Sequence, residues 1–98
     1  MKQADLLKKA QEIQSKMARI LDATREEAAS GGGMVKAVAD GNGTLLKLSI
    51  EKEVVDPEEI QMLEDLVVAA VNEAKRKAKD AAQEEVQKII GIPLPGLF

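Results

Sequence analysis

The chain has 98 residues, with 14 Lys+Arg against 17 Asp+Glu and a formal net charge of −3. That length suits one domain, and the net acidity excludes a protein that coats nucleic acid by bulk charge alone. With no His, no Cys and a single aromatic residue, Phe98, the chain lacks thiolate and imidazole metal ligands, a histidine general base and an aromatic platform for stacking bases.

Leu6, Ala10, Ile13, Met17 and Ile20 recur at alternating steps of four and three, which is heptad spacing, and Leu7 and Leu21 widen the stripe. The pattern predicts a helix over residues 2–23. The stretch TREEAAS, residues 24–30, favours helix by composition but runs straight into three glycines, so it reads either as an extension of that helix or as an edge strand. Gly31, Gly32 and Gly33 form a stop and are read as a backbone joint between helix and sheet.

Beyond the glycines the period drops to two. Val35, Ala37 and Ala39 alternate with Lys36, Val38 and Asp40, and Leu46, Leu48 and Ile50 alternate with Lys47, Ser49 and Glu51. Between them DGNG, residues 40–43, supplies two dipeptides suited to positive φ, which predicts a β-hairpin with strands over 34–39 and 44–51.

Asp56 then suits an N-cap, Pro57 the first helical position, and Glu58 and Glu59 the positive end of a helix dipole. The predicted second helix covers 56–90, with Ile60, Leu63, Val67, Ala70, Val71, Ala74 and Ala78 as its apolar stripe and Leu66 on the flank. At ~1.5 Å per residue it spans about 50 Å, well beyond a sheet whose strands measure about 20 Å. Val86, Ile89 and Ile90 on the overhang would stay wet in a single chain, and this points to a homodimer. Residues 91–98, GIPLPGLF, form a Pro/Gly tail with Leu97 and Phe98 as its docking candidates. The whole reads as one α+β domain, 1–98: helix 1–23, small antiparallel sheet 24–51, helix 56–90 and tail 91–98.

No apolar run approaches the ~20 residues that cross a bilayer, and MKQAD at the start has none of the features of a signal peptide, so a cytoplasmic protein without a membrane partner is expected. Ser15, Ser30 and Ser49 have no histidine to activate them, the glycine triplet lacks the Lys-Ser/Thr of a phosphate-binding loop, and the carboxylates are spread along helices. No catalytic residues, cofactor, metal or small-molecule substrate are expected, and the chain is not read as an enzyme.

Charge distribution is more informative than its total. Residues 1–25 hold six cations (Lys2, Lys8, Lys9, Lys16, Arg19 and Arg25) against three anions, residues 26–55 carry −2 and residues 56–98 carry −4. On the first helix Lys2, Lys9 and Lys16 form one row beside the apolar stripe, and Lys8 and Arg19 form a second. On the last helix Lys75, Arg76, Lys77 and Lys79 form a local basic run. Such rows suit contacts to phosphates. The plainer alternative is a solvated face, with Asp5–Lys9, Glu12–Lys16 and Asp22–Arg25 neutralising one another.

The stretches GGGMVKAVADGNGTLLKLSI, PEEIQMLEDLVVAAVNEAKRKA and LPGLF, together with the opening MKQADLLKKAQEIQSKM, closely resemble the YbaB/EbfC family of bacterial nucleoid-associated proteins. The resemblance covers nearly the whole chain. It implies an α-β-β-β-α protomer, a small antiparallel sheet with long N-terminal and C-terminal helices, and a tweezer-like homodimer. It also implies binding to double-stranded DNA with a change in its shape, and roles in nucleoid organisation and gene regulation within the cytoplasm. The implied DNA-binding residues are Lys2, Lys8, Lys9, Lys16 and Arg19 on the first helix and Lys75, Arg76, Lys77 and Lys79 on the last. Arg76 is the candidate for a bidentate contact, because its planar fork matches phosphate or a base edge. The family pattern places a short strand at Arg25–Ser30, where this chain carries the helix-favouring REEAA. A reading from another class is a helical protein–protein interaction module that uses the projecting helices and the Leu/Pro tail.

Overall fold

The computed structural model describes residues 2–91; the tail with Leu97 and Phe98, and the side chain of Ile90, lie outside the described part. The element order is α1 (Gln3–Ala23), β1 (Arg25–Ser30), β2 (Val35–Asp40), β3 (Leu45–Ile50) and α2 (Ile60–Ile90). The three strands form one antiparallel sheet in the order β1-β2-β3.

No Gly or Pro interrupts α1, and it ends where Thr24 turns extended (φ −74, ψ 124). The Thr24 N–H and Oγ1 both donate to the Ile20 carbonyl, at 2.9 and 2.7 Å, which closes the last turn. The chain then enters β1 directly, so residues 25–30 are a strand and do not extend the helix. Composition loses here to tertiary pairing. All six residues of β1 register against β2, from Arg25 opposite Asp40 to Ser30 opposite Val35. Helix α2 also holds this strand: Ser30 Oγ donates to the Leu66 carbonyl at 2.6 Å, and Lys77 Nζ donates to the Glu27 carbonyl at 2.7 Å. The glycine triplet therefore joins strand to strand, not helix to sheet.

The hairpin forms as the period-two pattern predicts, with one shift. A bulge between Val38 and Ala39 pairs Ala39 with Leu45 and Val38 with Lys47, so Leu46 is the extra residue. The alternating face of β3 is thus Leu45, Leu48 and Ile50. In the turn only Gly43 has positive φ (84), and Asp40 Oδ1 accepts from the backbone N–H of Asn42 and Thr44, each at 3.0 Å. Gly41 is glycine for a different reason. A Cβ there would sit 2.8 Å from both Ala82 Cβ and the Leu21 carbonyl oxygen, so the turn, α1 and α2 meet with no room for a side chain.

Helix α2 begins three residues later than the Asp-Pro-Glu-Glu pattern predicts past its cap. Asp56 Oδ1 accepts the Glu58 N–H (2.9 Å) and the Asp56 carbonyl accepts the Glu59 N–H (2.9 Å), so Asp56 closes a separate turn before the helix. Further on, Ala70, Ala74, Ala78, Ala82 and Val86 are fully buried at steps of four. This row of small side chains lets the helix axis lie close over Val35, Ala37 and Ala39 of β2, which are also fully buried. Leu63, Leu66, Val67 and Val71 pack around the edge of that core.

Val86 lies one turn beyond Ala82, where α1 packs on α2, and Met17, Ile20 and Leu21 of α1 are half-buried there. The overhang expected to stay wet at Val86 is therefore covered within the chain, and Ile89 remains exposed. The apolar surface left open lies elsewhere. Leu45, Leu48 and Ile50 share the face of the buried β2 residues across the strand pair, yet all three are exposed because α2 spans β1 and β2 and leaves β3 open. The Cα extents of 67 × 19 × 16 Å and a radius of gyration of 18.1 Å describe a rod. A compact chain of this length would have a radius of about 13 Å.

Candidate nucleic-acid interface

The nine cations marked by the sequence fall into two groups that the structure treats differently. Helix α1 has no buried residue, and every side chain described from Lys2 to Lys16 is exposed. Lys8, Lys16 and Arg19 line one open groove along it together with Gln11, Glu12 and Ser15. Lys8 and Lys9 line a second with Asp5 and Glu12. Lys2 stands at the N-cap position of the same helix. The expected neutralising pairs Asp5–Lys9, Glu12–Lys16 and Asp22–Arg25 are absent from the ion pairs among the described residues. Asp22 instead accepts from Asn42 Nδ2 at 2.8 Å, which ties the base of α1 to the hairpin turn.

On α2 two of the four cations are already engaged. The Arg76 guanidinium donates through Nε and Nη2 to the two carboxylate oxygens of Glu73, and through Nη1 to Asp80 Oδ2 at 3.0 Å. Its fork is thus filled from both sides along the helix, at i−3 and i+4. The hydrogen bonds from Arg76 hold the Glu73 carboxyl below its usual range, and those to Glu73, then the charge of Asp80, raise Arg76. Lys77 is half-buried and spends its ammonium on the Glu27 carbonyl. Lys75 and Lys79 are exposed and take no part in the ion pairs among the described residues.

The arrangement can therefore offer a row of open cations to a polyanion on α1, while on α2 Arg76 and Lys77 are turned to bracing and Lys75 and Lys79 stay exposed. The residues missed at the level of sequence are Gln11 and Ser15. They lie three and seven residues from Lys8, on its own helical face, and that spacing was the available signal. Neutral donors between cations suit phosphate oxygens without adding charge. Among the described residues there is no cluster of acidic side chains placed to hold a metal ion, and no helix long and apolar enough to cross a membrane.

The YbaB/EbfC DNA-binding family matches residues 1–92. A nucleoid-associated protein of Acetivibrio thermocellus is 44% identical over 99 residues, covering 96% of this chain and 88% of its own length. A nucleoid-associated protein of Granulibacter bethesdensis is 43% identical over 91 residues, covering 90% of this chain and 85% of its own. The crystal structure of an uncharacterized Helicobacter pylori protein superposes with a TM-score of 0.74 over 93% of this chain and 99% of that one; at 19% identity it speaks for the fold. A match over residues 1–92, carried by relatives above 40% identity along most of both chains, makes this protein a member of the YbaB/EbfC DNA-binding family.

Proposed function

We propose that this protein is a nucleoid-associated protein that binds double-stranded DNA as a homodimer and alters its shape, serving nucleoid organisation and gene regulation in the cytoplasm. The observation that carries the reading is α1: a helix exposed from Lys2 to Lys16, bearing Lys8, Lys16 and Arg19 in one groove with no ion pair among the described residues. Family membership supports DNA as the ligand of that row, and Lys2 and Lys9 extend it. Phosphate contacts from lysine and arginine position a protein on duplex with little sequence selectivity. Net acidity elsewhere on the chain keeps such binding local to the helix.

The homodimer is supported by the uncovered side of the sheet. Leu45, Leu48 and Ile50 on β3, with Val55, Ile60 and Met62 beside them in sequence or at the start of α2, are all exposed. An open edge strand with an apolar face is a liability that soluble proteins cover. A second copy related by a two-fold axis covers it and doubles the number of α1 helices. Two stiff helices fixed to one central sheet would grip duplex at two points, and bending follows from the separation of those points.

A fluorescence-anisotropy titration with labelled duplex at low salt tests the reading. The wild-type chain binds, and the triple variant Lys8→Gln/Lys16→Gln/Arg19→Gln binds at least tenfold more weakly. Equal binding by the two proteins removes α1 from the interface.

A further inference from the structure

The turn DGNG, residues 40–43, sets a carboxyl and a carboxamide side chain each directly before a glycine, and the fold holds the two very differently. Asp40 is buried, and its Oδ1 accepts from the N–H groups of Asn42 and Thr44. The peptide nitrogen after it, on Gly41, donates to the carbonyls of both Leu21 (2.9 Å) and Thr24 (3.1 Å). Asn42, by contrast, is exposed, and a Cβ on Gly43 would meet nothing within 4 Å, so no neighbouring group crowds that residue. One hydrogen bond holds the Gly43 nitrogen, to the Asp40 carbonyl at 3.0 Å. One holds the Asn42 carboxamide, from Nδ2 to Asp22 Oδ1 at 2.8 Å.

We propose that Asn42 is a deamidation site guarded by Asp22, and that its conversion unfastens the base of α1 from the hairpin turn. The Gly43 peptide nitrogen, its proton lost to solvent base, bonds to Cγ of Asn42. The Cγ–Nδ2 bond breaks, and Nδ2 takes up protons and leaves as ammonia. The cyclic imide then adds water. Addition at Cγ restores the main chain and gives aspartate; addition at the Asn42 backbone carbonyl carries the chain through the side chain and gives isoaspartate. In net, asparagine and water become an acid and ammonia. Glycine is the residue that makes the attack easy, because it has no side chain to hinder its nitrogen.

The same conversion removes the donor that Asp22 uses. A carboxylate takes the place of Nδ2, adds one negative charge to a formal −3, and faces the Asp22 carboxylate across the joint. Like charges repel there, and neither can donate to the other, so the tie does not re-form. Helix α1 has no buried residue and enters the sheet through Thr24 alone, so a bond at its base has a large share in fixing its direction. This inference does not depend on the DNA-binding reading.

Peptide mapping by mass spectrometry, on full-length protein incubated at mildly alkaline pH, tests the proposal. Asn72 is the internal control: it is the other asparagine, also exposed, but it lies within α2 and precedes Glu73. The expected result is acid accumulating at residue 42, part of it as isoaspartate, and none at residue 72. Asp22→Ala should convert about fivefold faster, the equivalent of losing one hydrogen bond of about 1 kcal/mol. Asn42→Asp reproduces the end state directly. In it, amide exchange over residues 20–24 should quicken by about fivefold while exchange in β2 stays unchanged. Three results would each overturn the proposal. One is a folded chain that stays unconverted at residue 42 long after the urea-unfolded chain has converted completely. Another is a rate that Asp22→Ala leaves unchanged or lowers. The third is exchange at the base of α1 that Asn42→Asp does not alter.

Discussion

Single residues carry two features of this chain that their type alone does not announce. Gly41 marks the crowded meeting of turn and helices. Gly41→Ala should destabilise the fold by about 2 kcal/mol, the usual cost of overpacking where backbone blocks relaxation. Urea denaturation measures it, and Gly43→Ala, at positive φ but in open space, is the informative comparison. Arg76 was legible from sequence as a cation but not as an engaged one. The acids at i−3 and i+4 were visible, yet only side-chain geometry shows both of them closing on one guanidinium. Glu73 has its folded pKa lowered by Arg76, so its contribution to stability is present above the ordinary carboxylate value and fades as pH falls through the lowered one. Arg76→Gln should return the Glu73 carboxyl toward its ordinary value, read by NMR titration of that side chain. The pair lies at the surface, where solvent screens it, so global stability should change little.

At the scale of elements, the two helices and the hairpin were written in the sequence because their apolar periods are unbroken. The strand β1 was not. Arg25, Glu26, Glu27, Ala28 and Ala29 favour helix locally, and only the pairing with β2 and the two bonds from α2 make them extended. Ser30→Ala removes one of those bonds and leaves the Leu66 carbonyl to its helical partner alone, which should cost about 1 kcal/mol by thermal unfolding. The start of α2 was misread for a related reason: Asp, Pro and Glu suit a turn as well as they suit a cap, and nothing local decides between them. The alanine row was legible only in part. Ala70, Ala74 and Ala78 fell on the predicted stripe, but the role of Ala82 depends on α1 and the hairpin turn arriving beside it. Replacing Ala78 with Leu should lift α2 from β2 and cost about 2–3 kcal/mol, whereas the same change at exposed Ala69 should be nearly neutral.

For the molecule as a whole, an open β3 and a bare rod-like α1 are the consequences of a chain that buries only part of its apolar surface alone. If a second copy covers β3, then Leu48→Lys, which is already exposed and needs no room within the protomer, should shift sedimentation equilibrium at micromolar concentration from dimer to monomer. Recovery of the wild-type dimer in that variant would place the contact elsewhere. The cation rows were legible in the sequence as rows; which of them remain open was not, because that depends on the pairing of each side chain in the folded helix.

The central claim is that the open cations of α1, and not the braced Arg76 and Lys77 of α2, meet the DNA phosphates. It is tested most directly by the slope of log K against log salt for duplex binding by the wild type, by Lys8→Gln/Lys16→Gln/Arg19→Gln and by Arg76→Gln/Lys77→Gln. At ~0.9 per phosphate contact, the account predicts a slope shallower by about 2.7 in the first variant and nearly unchanged in the second. A wild-type slope in the α1 variant, with the loss falling instead on the Arg76 and Lys77 pair, would contradict it.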